Sequence, residues 1–475
     1  MPMQSVAFPT LGCKVNVFET ELIAEKIVGD RYRRVHAGER ADLYVINTCT
    51  VTAEADRQAR QLVRRAVRQN PDAKVVVTGC YAQMDAQTCA EIPGVDLVVG
   101  NSQKLDIPEL LDDLYQGNLP PILLKDIDRE ISLPNQLLQG FEGHSRAFVQ
   151  IQQGCDQGCT FCIIHTARGR NRSFSPDMIK RQCQRLIMNG YGEIVICGVD
   201  IGSYGADFKD NEIGQVNLSA LLRSLLEIKG EIDGDYRLRL SSIDPAHITD
   251  EFIDLLSHHS SICPQLHLSL QSANSLILKR MKRRATRALI YERIGALRAA
   301  LPDLVLSADI LVGFPTESEA HFADTLRAIH ELEIAYPHVF RYSPRPATPA
   351  ARIPSQVPAL ARKQRAKAAR EAGKEVWMKV AKGQIGQHKT VLVESANDKA
   401  TSDPGWSVGR AANYFPVKFQ ETDAVKPNAH EYRRHENRSR ENQRQKDQKC
   451  RWVDLEITGV GSDTLLGRRL DREHG

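Results

Sequence analysis

From residue 6 onward, short runs rich in β-branched residues alternate with stretches long enough to cross back as helices, and that alternation admits little besides parallel sheet. Within residues 6–100 the runs are VAFPTLGC, LYVINTC, KVVVTGC and VDLVVGN, separated by the helix-like ETELIAEKI and EADRQARQLVRRAVR. The pattern lapses over 106–143, where Pro120, Pro121 and Pro134 suit a linker. It resumes as FVQIQQ, EIVICG, YRLRLSS, LHLSL, VLSADILVGF and PHVFRYS, six βα units and three-quarters of a closed barrel. Beyond the basic helical stretch ARKQRAKAAREAGKEVWMKV come short β-like runs, KTVLVES, YFPVKFQ, WVDLEITGV and TLLGRRL, which read as a small β-barrel module.

The predicted class is therefore α/β: an N-terminal parallel α/β domain over 1–105, a linker at 106–143, a partial (βα)6 barrel over 144–370 and a small β module over 371–475. Several domains are what 475 residues demand, because single hydrophobic cores stop growing well before that length. Residues 426–451 interrupt the last module with nine Lys/Arg against four acids, a composition expected of a mobile loop.

A net charge of +4 neither requires nor excludes nucleic acid, so the placement of basic residues carries more information than their sum. The N-terminus lacks a basic segment followed by an apolar core, and no apolar run approaches the roughly 18 residues a spanning helix needs. A soluble cytoplasmic protein without membrane contact is expected. Eleven cysteines in a reducing compartment then point to metal or catalysis rather than to disulfides.

Three of them, Cys155, Cys159 and Cys162 in GCDQGCTFC, follow the first barrel strand, at the end where parallel barrels carry their chemistry. Three thiolates hold three irons of a 4Fe-4S cube and leave the fourth iron open to a small molecule. A zinc tetrahedron completed by His165 is the competing reading of the same spacing. Cys13, Cys49 and Cys80 end the first three predicted strands, and carboxyl ends of parallel strands share one sheet edge. A second cube with one free iron follows by the same reasoning. Cys89, Cys183, Cys197, Cys263 and Cys450 lack partners at ligand spacing and are expected as buried apolar side chains.

CxxxCxxC with Phe161 before the last cysteine, on a six-unit partial barrel, resembles the radical S-adenosylmethionine superfamily. That resemblance implies S-adenosylmethionine chelated at the open iron and cleaved by one electron. Together with the N-terminal trio and the terminal β module, which looks like a TRAM domain, the chain resembles the methylthiotransferases. TLGCKVN (10–16), INTCTVT (46–52), VTGCYAQ (77–83), CTFCII with ARGRNRS (159–164, 167–173) and HVFRYSPRPATPA (338–350) look most like the branch acting on threonylcarbamoyladenosine. Departures are His165 and Thr166, where relatives commonly have Pro and Tyr, and PTE at 315–317 in place of PGE.

The resemblance implies two 4Fe-4S clusters and two uses of S-adenosylmethionine: one methylates a sulfur carried at Cys13, Cys49 and Cys80, and one is cleaved at Cys155, Cys159 and Cys162. It implies the tRNA anticodon stem-loop as partner, with unidentified electron and sulfur donors. Isopentenyladenosine in tRNA and an aspartate of a ribosomal protein are the alternative substrates, and a zinc-stabilised RNA-binding protein is the non-catalytic alternative. Beside Phe161, the cofactor-binding candidates at strand ends are Gly198, Gln271, Ser272 and Asp309. Arg168 and Arg170 are candidates for phosphate or the substrate carboxylate. The five arginines of RQARQLVRRAVR and the basic helix near 362–374 are either phosphate contacts or ordinary charged faces.

Overall fold

The structure, a computed structural model, describes residues 3–130, 133, 135–208, 216–232, 234–394, 405–421 and 451–470. Strands β1 (Gln4–Ala7), β2 (Tyr32–Arg34), β3 (Leu43–Thr48), β4 (Lys74–Gly79), β5 (Leu97–Val99) and β6 (Ile122–Leu123) form one all-parallel sheet in the order β2-β1-β3-β4-β5-β6. Every residue of β3 is buried, as a central strand covered on both faces requires. One face packs Ile23, Ala24 and Ile27 with Ile107, Leu111 and Leu114, and the other packs Ala59, Val63 and Ala66 with Tyr81. The stretch read as a linker thus contributes an amphipathic helix, Ile107–Gln116, and the edge strand β6. Three prolines mask a helix whose apolar residues fall one turn apart, and a two-residue strand leaves no alternation to detect.

The second body is an open barrel of parallel strands: β7 (Arg146–Gln150), β10 (Glu193–Cys197), β11 (Arg237–Leu240), β12 (Ser242–Ile243), β13 (Gln265–Gln271), β14 (Val305–Val312) and β15 (Ile334–Arg341), with β8 (Gln152–Gln153) and β9 (Arg172–Ser173) as a short antiparallel pair beside it. β11 and β12 are the halves of one run broken at Ser241, the first paired with β10 and the second with β13. Their faces are chemically opposite. Leu266, Leu268 and Leu270 turn outward into the helical layer, whereas Gln265 bonds to Ser307, and His267 to Asp309, across the interior. A polar interior is unusual for a parallel barrel filled by its own side chains, and it marks a lumen built for a ligand.

The long helix Ala359–Lys382 lies against β15, where Trp377 Nε1 donates to Tyr336 Oη at 2.9 Å. It leads into a closed five-stranded barrel of β16 (His388–Val393), β17 (Trp406–Ala411), β18 (Pro416–Gln420), β19 (Trp452–Val460) and β20 (Leu465–Arg469) around Val391, Phe415, Phe419 and Leu455. Of the basic run 426–451 only Arg451 lies within the described residues, and Cys450 lies outside them. Among the described residues no helix is long and apolar enough to cross a membrane.

Candidate active site

The loop after β7 closes because Gly154 adopts φ +73°; a Cβ there would stand 1.8 Å from the carbonyl oxygen of Arg170. Cys155 N then bonds to Gly169 O at 3.1 Å, and Cys162 N to Cys159 O at 3.0 Å, which coils the three cysteines into one turn. Each sulfur accepts a hydrogen bond at 3.4 Å: Cys155 from Gln157 N, Cys162 from Ile164 N and Cys159 from Arg283 Nη1. Burial pushes the Cys155 thiol up to about 12, with the Asp200 carboxylate adding to the shift, and burial pushes Cys162 up to about 11. Donors aimed at sulfurs whose protons are held so tightly suit thiolates that form only when a cation replaces the proton.

Phe161 turns into a small apolar cluster with Ile277, Met281, Leu311, Phe314 and Tyr342, anchoring the loop to the barrel. His165 offers a backbone N–H toward Cys162. Among the described residues no three His, Cys, Asp or Glu side chains converge on a point where one metal ion would sit. A zinc ion asks all its donors to meet at one point, with the buried Nδ1 of His165, which has no hydrogen-bond partner among the described residues, as the fourth, whereas a cube asks its thiolates to reach three different irons.

Cys80 and Cys13 both lie near Cys49, at the carboxyl edge of the N-terminal sheet. Thr48 and Gly79 are register partners, so Cys49 and Cys80 leave β3 and β4 side by side. Leu11 N bonds to Asn47 O at 2.9 Å, which brings the first segment to the same edge, and Gly12 at φ +106° would put a Cβ 2.9 Å from that of Cys49. Burial pushes the Cys49 thiol up to about 12, with Cys80 and Cys13 contributing in that order. Cys13 is exposed, Cys49 half-buried and Cys80 buried, a gradient running from open space to the sheet edge.

Arg168 does not reach a solvent-facing phosphate. It is 1% exposed and reaches from the helix after the cysteine loop into the N-terminal domain, its Nε 3.1 Å from Cys80 Sγ while Nη1 and Nη2 fork onto Glu19 at 2.6 and 3.0 Å. Lys104 joins the same carboxylate from the helical layer of the N-terminal sheet. Burial opposes the ionisation of Glu19, but Arg168 and Lys104 outweigh it and hold the carboxyl below its usual range. Arg170, by contrast, is exposed.

Gly198 lets Gln152 Oε1 approach to accept from Val199 N and Asp200 N at 3.0 and 2.8 Å. Gln271 stands at φ +67° where the register of β13 against β14 shifts, an outlier of the kind that collects at ligand sites. Ser272 is buried 3.2 Å from Thr325 Oγ1 and accepts from Asn274 N, so its hydroxyl holds a turn and does not line the lumen. Asp309 lies inside, 2.9 Å from His267 Nε2, with the His338 ring 4.8 Å from that of His267. Burial and the neighbouring His267 lower the His338 pKa.

A charged rim near the cysteine loop escaped the sequence reading. Asp200 accepts from Arg284 and Ser203, both at 2.8 Å, and lies 3.7 Å from Cys155 Sγ; Asp244 accepts from Arg283 at 2.7 Å. Asp200 stands two residues after Gly198 and Asp244 directly follows β12, but Arg283 and Arg284 follow a short helix and carry no local signal.

Residues 5–100 match the uncharacterized protein family UPF0004, and residues 149–329 match the radical SAM superfamily. The threonylcarbamoyladenosine tRNA methylthiotransferase of Rickettsia prowazekii is 39% identical over 416 residues, covering 88% of this chain and 91% of the relative. Its counterpart from Bacillus subtilis is 38% identical over 89% of this chain and 91% of its own length. A tRNA-2-methylthio-N(6)-dimethylallyladenosine synthase of Mycolicibacterium paratuberculosis is 33% identical over 88% and 81%. Among solved structures, the radical S-adenosylmethionine methyltransferase TsrM of Kitasatospora setae superimposes with a TM-score of 0.53 at 14% identity, over 74% of this chain and 77% of that one, a likeness of fold.

Proposed function

The chain belongs to the tRNA methylthiotransferases of the radical S-adenosylmethionine type, and from that premise we propose that its substrate is N6-threonylcarbamoyladenosine at position 37, converted to the 2-methylthio derivative. Such an enzyme uses S-adenosylmethionine and a 4Fe-4S cluster, which when bound supply one-electron cleavage of the sulfonium and removal of hydrogen from C2 of the adenine. Cys155, Cys159 and Cys162 are assigned to that cluster, and Cys13, Cys49 and Cys80 to a second one. The backbone donors of Gln157 and Ile164 and the guanidinium of Arg283 hold the first set of thiolates in place. Phe161 seats their loop. Gly198, Gln271 and Asp309 stand at strand ends or within the lumen and are assigned to the cofactor.

The charged lumen carries the choice of substrate. Threonylcarbamoyl bears a carboxylate and a hydroxyl, whereas isopentenyl is hydrocarbon and would leave Asp309, His267 and His338 desolvated against it. Lys14, exposed beside Cys13, has no ion pair among the described residues, and its charge reaches Cys197 and His338 on two lumen strands. It is a cation open to the carboxylate.

Mass spectrometry of tRNA nucleosides from a strain lacking the gene tests the assignment. The 2-methylthio derivative of threonylcarbamoyladenosine disappears while that of isopentenyladenosine persists. The reverse loss would move the substrate to the isopentenyl branch.

A further inference from the structure

The helix Ala53–Gln69 buries Asp56, Ala59, Val63 and Ala66 and turns five arginines away from the sheet. At about 100° per residue, Arg57, Gln61, Arg64 and Arg68 fall within an arc of roughly 60°, with Arg65 on its flank. The arginines are not equivalent. Arg57 is paired with Glu54, and Arg60 donates to the Tyr81 hydroxyl at 3.0 Å. Arg64, Arg65 and Arg68 are exposed and make no ion pair or hydrogen bond among the described residues.

A solvated helix face ordinarily sets acids three or four residues from its bases, but RQLVRRAVRQ at 60–69 contains no acid, and Arg60, Arg64 and Arg68 repel one another at i,i+4 spacing. The repulsion weakens the free helix and is relieved only when anions arrive from outside. A depression of about 590 Å3 runs along this face, lined by Leu11, Gln58, Gln61, Arg64, Arg65 and Arg68 among others. Leu11 is two residues from Cys13, so one end of the depression opens beside the exposed member of the N-terminal triplet.

We propose that Arg64, Arg65 and Arg68 bind the phosphates of the anticodon stem-loop, carrying the RNA backbone away from the point where its target base enters beside Cys13. The assignment rests on tRNA as the substrate and adds the surface on which it docks. Guanidinium forks match phosphate oxygens, and such contacts fix position without reading sequence, so the patch is indifferent to which N6 substituent the base bears.

The test is binding of a synthetic anticodon stem-loop, without nucleoside modification, to wild type and to an Arg64→Glu/Arg65→Glu/Arg68→Glu variant across a salt series. Each phosphate contact contributes about 0.7 to the slope of log affinity against log salt for single-stranded RNA, so the variant's slope is shallower by about 2 and its affinity about 100-fold lower at 0.1 M salt. The neutral Arg64→Gln/Arg65→Gln/Arg68→Gln variant loses slope by the same amount, which separates lost contacts from added repulsion. Iron content and melting temperature report that both variants fold. Unchanged slope and affinity in folded variants overturn the docking surface while leaving the tRNA assignment intact. A wild-type chain without salt-dependent affinity for the stem-loop overturns both.

Discussion

Thr316 holds φ +71°, a conformation that β-branched side chains rarely adopt. It is the residue that stands in PTE where the resembling family has PGE, and glycine would sit there without strain. Its backbone N–H bonds to Ser355 O at 2.7 Å, and its hydroxyl accepts from Arg280, which together hold the turn that leaves β14. Left-handed backbone costs a β-branched residue about 1–2 kcal/mol, against about 0.5–1 kcal/mol of extra chain entropy for glycine. Thr316→Gly therefore stabilises the fold by about 0.5–1 kcal/mol, seen as a melting temperature about 2 °C higher. A fall instead would mean that the Arg280 bond outweighs the strain. Single residues of this kind were legible as departures in the sequence, but the reason for them is a backbone angle that no local pattern reports. Arg168 was misread for a related reason: in ARGRNRS it looks like a loop arginine, and only the approach of Glu19 from the N-terminal domain makes it a buried bridge.

At the level of strands, the neighbouring positions of Cys49 and Cys80 were legible because they follow from parallel topology, whereas Cys13 lies past the end of β1, at the N-cap of the next helix. Once β1, β3 and β4 neighbour one another, their carboxyl ends share an edge and residues just past them meet. The same logic marked the loop after β7. It failed for the charged rim, since Arg283 and Arg284 reach the site from a helix end after β13 and not from a strand end. If the triplets hold one cube each, anaerobically purified protein carries about eight irons, and Cys80→Ser lowers this to about four with the spectrum of the other cluster retained. The serine keeps the volume and an acceptor for Arg168 Nε, so loss of iron is not loss of fold. An undiminished iron count would show that the strand-end cysteines do not hold a cluster.

Across the whole molecule, the barrel's polar interior continues downward into the seam with the terminal β module. Glu193 is fully buried there between Arg237 and Arg239, at 2.7 and 2.6 Å, and those arginines also donate to the backbone carbonyls of Arg410 and Ala411 in the module at 2.8 and 3.3 Å. Arg237 stacks 4.9 Å from the Trp452 ring, and Arg239 lies 5.1 Å from that of Tyr414. Glu193 is therefore the shared counter-charge of the arginines that dock one barrel onto the other, with Arg146 a third at 3.7 Å. Its burial opposes ionisation, but Arg239 and Arg237 prevail and hold the carboxyl well below its ordinary 4.5. Because the folded pKa is depressed, the unfolded chain binds the extra proton, so this stabilisation is complete above about pH 4.5 and is lost as pH falls toward the folded value. Glu193→Gln leaves two buried guanidinium groups without their counter-charge, a destabilisation of about 3–5 kcal/mol at neutral pH. In thermal unfolding followed from pH 7 to pH 3, the gap between wild type and Glu193→Gln is widest at and above pH 5 and narrows below about 4.5, as the unfolded wild-type chain takes up the proton that the amide never binds. A gap that stayed constant through that window would assign the loss to packing and remove the electrostatic seam as what joins the two barrels.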